Sequence, residues 1–486
     1  MTTATPMSPF VEADPDRMRA VFASQQATAL RWRHSTAEER IERIKRLRDA
    51  MLARREDFYA AFAKDYRKPE AEVDVTELMP VLDEMRHAIG RVKRWMKPSR
   101  VWPTSLMVMT KAWVQYQPRG RVLIIAPWNY PLNLCFGPLV SALAAGNTAI
   151  IKPSEMMPSV SKVMAEIIRE VFPENEVALF EGSLPTSQAL LDMPFDHIFF
   201  TGSPMVGKIV MAAAAKHLTS VTLELGGKSP TIVDASADLK TAAETLMWGK
   251  FVNGGQTCVA PDYLYVHASV KDAFVKECRQ VLEARYGKSA EEQKANPDLT
   301  RIVNNRHAAR VAGLLQDAVD QGARVLTGGA VDVQDCWVAP TLLDNVAMDS
   351  KVMEEEIFGP VLPIVPFNDL DEVIRDINAK PKPLALYLWS HTQANIDRVL
   401  ERTTSGGACV NHCMMQFVHG NLPFGGVNNS GIGNAHGHYG FKAFSHERAV
   451  VRASAIMLVK LFFSPYTASR VKIIRMAMDS LKLPMV

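Results

Sequence analysis

The chain has 486 residues, of which 48% are hydrophobic and 22% are charged, and its formal net charge at pH 7 is +3. This composition allows a large buried core and excludes a mostly disordered chain, and the near-neutral charge balance gives no sign of a surface for nucleic acid. At about 150 residues per domain, the length predicts two to four domains.

The N-terminal segment and the cysteines indicate the compartment. Residues 1–16 have neither a basic start nor an apolar run, so we expect no secretory signal. The six cysteines are too few and too dispersed for a disulfide scaffold, which favours reduced thiols in the cytoplasm. No uninterrupted apolar stretch approaches the roughly 18 residues of a spanning helix; the nearest, residues 455–463, is interrupted by Lys460.

Residues 14–67 have the pattern of helices. Thr36 and Glu39 have the spacing of a capping box, in which a hydroxyl and a carboxylate satisfy backbone N–H groups at a helix start. Apolar residues then recur at helical spacing, with charged residues between them. The segment therefore predicts helices whose arginine-rich face is exposed to solvent.

A strand-like segment is followed by an alternation of strands and helices over residues 121–225. Residues 108–118 are rich in β-branched and aromatic residues with partial alternation, which predicts a strand or a hairpin arm. Five short apolar runs bounded by turn residues follow: RVLIIAP, NTAIIKP, EVALFEG, DHIFFTG and SVTLEL. With helix-like segments between them, they predict βαβ units and a parallel sheet that has helices on both faces.

A second alternating region follows, over residues 226–411. It contains the strand-like runs TIVD and YLYVH, a helical segment over 237–252 and a predicted helix over 305–320. Residues 412–450 are rich in Gly, Asn and His, which predicts loop character.

Polar residues stand where strands of the first predicted sheet end, which is where α/β sheets bind ligands. One group is Trp128 to Pro131. A second begins with Lys152, which directly follows an apolar strand, where a surface lysine is less expected; with Glu155 it is suited to ribose or phosphate. The third, residues 201–207, is glycine-spaced without the GxGxxG pattern, so an ordinary tight turn explains it as well as a phosphate site.

Two further residues have the chemistry of catalysis. Glu224 closes a strand between two leucines and before two glycines, which fits a satisfied buried acid and a catalytic base equally well. Cys258 follows Asn253, Gly254 and Gly255, whose backbone can adopt conformations closed to most residues. Either this is a turn with a buried thiol, or the bend presents a nucleophile whose own N–H faces a developing oxyanion.

Other chemistry of cysteine is less well supported. None of the 12 histidines matches a protease signature, so a Cys-His hydrolase fits poorly. Cys409, His412 and Cys413 lie close in sequence, but a metal site needs three or four ligands and no second cluster exists. We therefore predict no metal site.

Seven motifs in order and at matching spacing resemble the NAD(P)-dependent aldehyde dehydrogenases over nearly the whole chain. They are PWNYP (127–131), KPSE (152–155), FTGSPMVG (200–207), LELGGKSP (223–230), GQTCVAP (255–261), EEIFGP (355–360) and LPFGGVNNSGIG (422–433). Within the family, the segments around Cys258 and residues 422–446 resemble the branch of dimeric fatty-aldehyde, coniferyl-aldehyde and aromatic-aldehyde enzymes.

The resemblance implies a fold and a division of the chain. The implied fold is α/β, with a Rossmann-like NAD(P)-binding domain (1–100 and 122–225), a catalytic domain (226–411) and a small β arm for oligomerisation (101–121 and 412–450). Residues 451–486 form a C-terminal extension. A homodimer is implied as well.

The resemblance also implies roles for individual residues. Cys258 attacks the aldehyde, Asn129 and the Cys258 N–H hold the oxyanion, and Glu224 activates water for deacylation. Lys152 and Glu155 hold the adenosine ribose, and Glu356 holds the nicotinamide ribose. The complete implied cofactor set is Trp128, Lys152, Glu155, Thr201, Gly202, Ser203, Gly207, Leu225, Gly226, Glu356 and Phe358.

The implied activity is the oxidation of a hydrophobic aldehyde, aliphatic or aromatic, to its carboxylic acid through a thioester on Cys258. NAD is the expected cofactor, because Glu155 should repel a 2′-phosphate, and use of NADP stays open because that side chain can swing away. A CoA-acylating enzyme and a non-enzymatic structural protein are the alternatives; Glu224 and the intact motifs argue against them.

The C-terminal extension, residues 451–486, departs from the family pattern. It carries six basic residues and one acid, Asp479, among apolar residues. We expect a helix that docks over the substrate entrance or the dimer partner; the alternative is peripheral contact with a membrane through an interfacial helix.

Overall fold

Two mainly parallel β-sheets organise the chain in a computed structural model, which describes residues 12–104, 107, 109–454 and 458–482. The strands are β1 (Ser99–Val101), β2 (Thr110–Pro118), β3 (Arg121–Ile125), β4 (Thr148–Lys152), β5 (Val177–Leu179), β6 (His197–Gly202), β7 (Ser220–Leu225), β8 (Pro230–Val233), β9 (Tyr263–His267), β10 (Arg324–Thr327), β11 (Val331–Asp332), β12 (Trp337–Val338), β13 (Thr341–Asp344), β14 (Val361–Phe367), β15 (Ala385–Trp389), β16 (Gly407–Val410), β17 (Gly431–Ile432) and β18 (Ser445–Ala453).

Helices cover the sheets and connect their strands. The α-helices are α1 (Pro15–Trp32), α2 (Ala37–Ala53), α3 (Arg55–Tyr66), α4 (Glu70–Val73), α5 (Met79–Trp95), α6 (Asn133–Ala145), α7 (Pro158–Val171), α8 (Leu184–Leu191), α9 (Pro204–Ala215), α10 (Leu239–Phe251), α11 (Lys271–Tyr286), α12 (Ala290–Ala295), α13 (Asn305–Asp320), α14 (Lys351–Glu354), α15 (Leu370–Ala379), α16 (Gln393–Arg402), α17 (Met415–Val418), α18 (Gly437–Ala443) and α19 (Ala468–Ser480). The described residues also form a π-helical turn (Asp74–Leu78) and 3₁₀ turns at Val252–Gly255 and Leu458–Phe462.

The first sheet has six strands in the order β17-β7-β6-β3-β4-β5. Its five parallel strands, β3 to β7, are the five apolar runs of the sequence, so the predicted parallel sheet is confirmed. Every residue of β4 is buried, as expected for a β-branched strand covered on both faces. Because the strands are parallel, Trp128, Lys152 and Thr201 follow or end their strands at one edge of the sheet, and Thr201 is the register partner of Glu224.

The second sheet has seven strands in the order β10-β13-β14-β9-β8-β15-β16, and all its neighbours are parallel except β10 and β13. The runs TIVD and YLYVH form β8 and β9, and the helix predicted over 305–320 is α13. Cys258 lies in the loop that joins the 3₁₀ turn Val252–Gly255 to β9.

The third sheet, in the order β1-β2-β18, forms an antiparallel arm. The strand expected over 108–118 is found as β2, with residue 108 outside the described residues. The loop character expected for 412–450 is only partly correct, because this stretch includes α17, β17, α18 and most of β18. The partner of β18 is β2, more than 300 residues away, which local composition does not reveal. The division into cofactor, catalytic and arm domains stays a prediction.

The two ends of the chain are helical. The capping box of α2 is present, with Thr36 and Glu39 bonded reciprocally, and α1 to α3 confirm the helices expected over 14–67. At the other end, the side chains of residues 468–479 in α19 are exposed or half-buried. Within the described part of the chain, no helix is both long and apolar enough to cross a membrane.

Candidate active site

The backbone in front of Cys258 is left-handed at three consecutive residues. Asn253, Gly254 and Gly255 have φ of 56°, 61° and 75°. A Cβ on Gly255 would lie 2.4 Å from the carbonyl oxygen of Gly359, so a side chain does not fit there. The sharp bend expected from the sequence is therefore present, and it places Cys258 at the start of a short loop that leads into β9.

Buried hydrogen bonds hold this bend. The Asn253 side-chain nitrogen donates to the carbonyl oxygens of Asn129 at 2.9 Å and Gln256 at 3.3 Å. The Tyr66 hydroxyl lies 3.0 Å from the Asn129 carbonyl oxygen and 3.1 Å from Asn253 Oδ1. The Gln256 side-chain nitrogen donates to the carbonyls of Asn253 and Arg301. Sequence reasoning did not find Tyr66 and Gln256 as part of the site, since neither carries a chemical signal of its own.

Asn129, the predicted oxyanion donor, contacts the nucleophile loop directly. It is buried, and its side-chain nitrogen donates to the Gln256 carbonyl oxygen at 3.0 Å. An amide nitrogen carries two hydrogens, so a second N–H remains for an oxyanion beside Cys258. The structure thus brings Asn129 and Cys258 into one loop cluster.

The surroundings of Cys258 favour its protonated thiol. Burial, together with the nearby carboxylates of Glu356 and Glu224, raises the pKa of this thiol to about 12. The backbone N–H groups of Cys258 and Val259 lower this pKa, as the sequence argument expects, but their effect is smaller than that of burial. Activation therefore requires a group that accepts the thiol proton.

Glu224 lies at the end of β7 and is 5% exposed. Neither of its carboxylate oxygens has a hydrogen-bond partner among the described residues. Burial raises the pKa of this carboxyl well above its usual range. The interpretation of Glu224 as a satisfied buried acid is wrong, and an unpartnered buried carboxyl with a raised pKa is typical of a general base.

Cys258 and Glu224 line the same cavity, which has a volume of about 140 Å³. Its walls are mostly apolar, and Thr201 and Leu225 also line it. The hydroxyl of Thr201 is buried and has no hydrogen-bond partner among the described residues. The walls of the cavity also include Tyr130, Leu134, Trp248, Met414, Met415, Phe417, Val418 and Phe424.

Lys152 and Glu155 form one pair at the end of β4. Lys152 is 3% exposed, and its Nζ lies 2.9 Å from Glu155 Oε2. The alternative that Lys152 is a surface lysine is therefore wrong.

Residues 202–207 join the end of β6 to the first turn of helix α9. The Ser203 hydroxyl caps the helix by accepting from the N–H of Val206 at 3.4 Å. A Cβ on Gly207 would lie 2.7 Å from Leu225 Cδ2, and one on Gly202 would lie 2.5 Å from the Phe200 ring. These glycines let helix α9 and the strand ends approach closely, and they leave the capped helix start facing the sheet edge.

Glu356 and Phe358 approach the same edge from the second sheet. A Cβ on Gly226 would lie 2.1 Å from Glu356 Oε2, and Glu356 Oε1 is buried with no partner among the described residues. Burial raises the pKa of Glu356 to about 8, and Asp262 adds to this shift. Phe358 packs edge-on against Trp128, with ring centroids 5.3 Å apart.

Two residues of α13 belong to this group and were missed by sequence reasoning. His307 packs on Trp128 with ring centroids 5.1 Å apart. Arg310 donates to the carbonyl oxygens of Glu356 and Ile357. In the sequence, both residues lie in an ordinary helical pattern. The helix that begins after Asn304 could be predicted, but nothing indicated that these two side chains reach the site.

Cys409, His412 and Cys413 do not gather into a metal site. Cys413 is buried, and its Sγ lies 3.6 Å from the Thr245 carbonyl oxygen. Across the described ranges, no three residues of the types His, Cys, Asp and Glu are grouped so that they could hold a metal ion.

Residues 2–450 match the model of the aldehyde dehydrogenase family, so the chain belongs to that family. It is 48% identical to the protein AldX of Bacillus subtilis over 90% of this chain and 97% of that one. It is 42% identical to the 4,4'-diaponeurosporen-aldehyde dehydrogenase of Staphylococcus aureus (92% and 95% covered). Identity is also 42% to aldehyde dehydrogenase family 3 member A2 of Rattus norvegicus (90% and 87% covered), so the resemblance to the class 3 branch is confirmed.

Solved structures agree with this assignment. Staphylococcus aureus AldH in a substrate-bound state has a TM-score of 0.89 and 40% identity, over 95% of this chain and 99% of that one. An aldehyde dehydrogenase of Mycobacterium tuberculosis, complexed with NAD+, has a TM-score of 0.82 and 27% identity, with 92% of each chain covered. The chain is thus an NAD(P)-dependent oxidoreductase that acts on aldehydes.

The residues present fit a nicotinamide dinucleotide. The unpartnered buried Glu356 oxygen suits a ribose hydroxyl, and the Lys152–Glu155 pair offers a donor and an acceptor to a second ribose. The assignment of individual contacts stays a prediction.

Proposed function

We propose that the protein oxidises hydrophobic aldehydes to carboxylic acids through a thioester on Cys258. The observation that carries this proposal is the shared cavity, in which a thiol and an unpartnered buried carboxyl meet between apolar walls. NAD(P), when bound, supplies the hydride acceptor for the oxidation.

The chemistry proceeds in two halves. The Cys258 thiol gives its proton to the Glu224 carboxylate in the same cavity, and Glu224 releases this proton to solvent before deacylation. The sulfur bonds to the aldehyde carbon and gives a thiohemiacetal oxyanion, which the second N–H of Asn129 and the Cys258 N–H stabilise. One such donor is worth about 2.7–4 kcal/mol. Loss of hydride from the same carbon leaves a thioester on Cys258.

Water must then release the acid. Glu224 takes a proton from water, the hydroxide oxygen bonds to the thioester carbon, and the Cys258 thiolate leaves. The raised pKa of Glu224 suits this step, because a carboxylate in an apolar site binds the proton of water more strongly.

The apolar walls support a hydrophobic substrate. Leu134, Phe417 and Phe424 line the cavity and offer no hydrogen-bond partner to a sugar or an acidic aldehyde. We expect kcat/KM to rise from propanal to decanal and benzaldehyde.

The test is NADH formation by the purified protein with these three aldehydes. Cys258→Ser should abolish it, whereas Cys336→Ser, which changes a half-buried cysteine elsewhere, should not. Glu224→Gln should accumulate a thioester, seen by intact mass as added acyl mass on the peptide that contains Cys258. Full activity of Cys258→Ser would refute the mechanism, and formation of acyl-CoA in place of the acid would make the enzyme CoA-acylating.

The arm supports a further proposal about assembly. Strand β18 is an edge strand of nine residues, and most of its residues are exposed. Exposed edges of this length pair with another chain unless they are protected. We expect a homodimer that uses this arm, measured by light scattering as twice 53.9 kDa, and Val450→Pro should shift the mass towards the monomer.

A further inference from the structure

A chain of two buried hydrogen bonds joins the wall of the cavity to the nucleophile loop. The Tyr387 hydroxyl donates to the carbonyl oxygen of Val259 at 2.6 Å. The side-chain nitrogen of Gln416 donates to the same hydroxyl at 3.1 Å. Tyr387 is fully buried and Gln416 is 9% exposed, so both bonds are shielded from water.

Tyr387 comes from a rigid part of the molecule. It lies in β15, which pairs with β8 on one side and with β16 on the other. The Val259 carbonyl belongs to the residue directly after Cys258. Only the φ and ψ of Val259 separate the peptide unit of this carbonyl from the peptide unit that follows Cys258, so a fixed carbonyl restricts the backbone that carries the thiol.

Gln416 comes from the other side of the site. It lies in α17, and its neighbours Met414, Met415 and Phe417 line the cavity that contains Cys258. The segment that would touch the substrate and the loop that carries the thiol therefore bind the same hydroxyl. Burial raises the pKa of Tyr387 well above its usual range, so this hydroxyl keeps its proton and remains a donor.

We propose that Tyr387 is a positioning residue, which holds the Cys258 loop through Val259 and ties it to the cavity wall through Gln416. This inference rests on the proposed role of Cys258 as nucleophile. Tyr387 touches neither the thiol nor the substrate in this account, and it acts through the position of the sulfur.

Tyr387→Phe tests the first bond, because it removes the hydroxyl and keeps the ring. We expect the rate constant for alkylation of Cys258 by iodoacetamide and kcat with decanal to fall about tenfold, because a misplaced reacting atom is costly. The KM for NAD should not change, since the Tyr387 hydroxyl bonds Val259 and Gln416 and none of the predicted cofactor residues. Tyr265→Phe is the matched control, as Tyr265 is equally buried and its hydroxyl bonds Asp376 instead.

Gln416→Leu tests the second bond and provides a readout if Tyr387→Phe fails to fold. We expect alkylation to slow about threefold, as for the loss of one neutral hydrogen bond. The double variant should be no slower than Tyr387→Phe alone, because both substitutions act through one hydroxyl. Independent, multiplying effects would show that the two residues act separately and would overturn the coupling.

The outcomes separate this inference from the proposed function. Wild-type alkylation and kcat in Tyr387→Phe, together with an inactive Cys258→Ser, would overturn the inference and leave the function intact. An active Cys258→Ser would remove both. If alkylation and kcat fall equally in Tyr265→Phe and Tyr387→Phe, the loss comes from general packing of the core, and the inference is overturned.

Discussion

Lys152 and Glu155 pair with each other at 2.9 Å at the end of β4, although Lys152 is almost completely buried and Glu155 is not. The lysine is thereby fixed at the sheet edge, and the carboxylate remains able to move. A cofactor ribose that binds here meets a preformed donor and a charge that opposes a 2′-phosphate.

Glu155→Gln should therefore change the cofactor preference. We expect the ratio of kcat/KM for NADP to that for NAD to rise about tenfold, because a like charge near the 2′-phosphate is removed. Steady-state kinetics with both cofactors and decanal measure this ratio. Glu170→Gln, an exposed glutamate on α7, is the control and should leave it unchanged. No change of the ratio in Glu155→Gln would place the adenosine ribose elsewhere.

Glu224→Gln should stabilise the protein in a pH-dependent way. The folded-state pKa of Glu224 is raised, so in the wild type folding takes up a proton above the usual pKa of a glutamate, and stability falls as the pH rises. Glutamine has no such cost. We expect the variant to have the higher Tm at pH 8, by on the order of 2 °C, and the difference to vanish near pH 4. Scanning calorimetry across this range measures it, and a difference of the opposite sign would contradict the raised pKa of Glu224.

Gly255→Ala should destabilise the fold by about 2–4 kcal/mol, because the residue would need both a left-handed φ and space that the Gly359 carbonyl occupies. Chemical denaturation with one far-UV probe measures the loss. Gly313→Ala is the matched control: no atom lies within 4 Å of its Cβ, and it sits inside α13. Alanine should there stabilise the protein by about 0.5–1 kcal/mol. Equal effects at both positions would mean that the bend before Cys258 is not strained by a side chain.

Local pattern was sufficient to predict the sheets and part of the site. β-branched runs and their turn residues identified β3 to β7, and the glycines before Cys258 indicated the bend. The bonds that hold the bend could not be predicted, because Tyr66 and Asn253 are 187 positions apart and only the fold brings them together. Lys68 and Glu77 were missed for another reason: they form a fully buried ion pair at 2.9 Å behind Tyr130, and residues of these types are almost never fully buried.

The segment after the arm exposes apolar and basic side chains together. In α19, Ile473 and Met476 are three positions apart on one face of the helix and are 37% and 63% exposed. Arg470, Lys472 and Arg475 lie on the same helix. Apolar side chains exposed in a cluster indicate a surface that another surface covers. We expect α19 to dock over the substrate entrance, in the same or a partner chain; the alternative is contact with a membrane surface.

Deletion of residues 465–486 tests that role. We expect kcat/KM for decanal to fall about fivefold and kcat/KM for propanal to stay within about twofold of the wild-type value. Only a long aldehyde chain would reach the docked segment at the entrance and lose contacts with it. Arg470→Gln with Lys472→Gln and Arg475→Gln serves as the charge control: it keeps the apolar surface and should keep the preference for decanal. Flotation with vesicles of anionic lipid distinguishes the alternative. If the deletion leaves the preference unchanged, and if both variants lose binding to the vesicles, the helix is an interfacial membrane contact and the docking role is wrong.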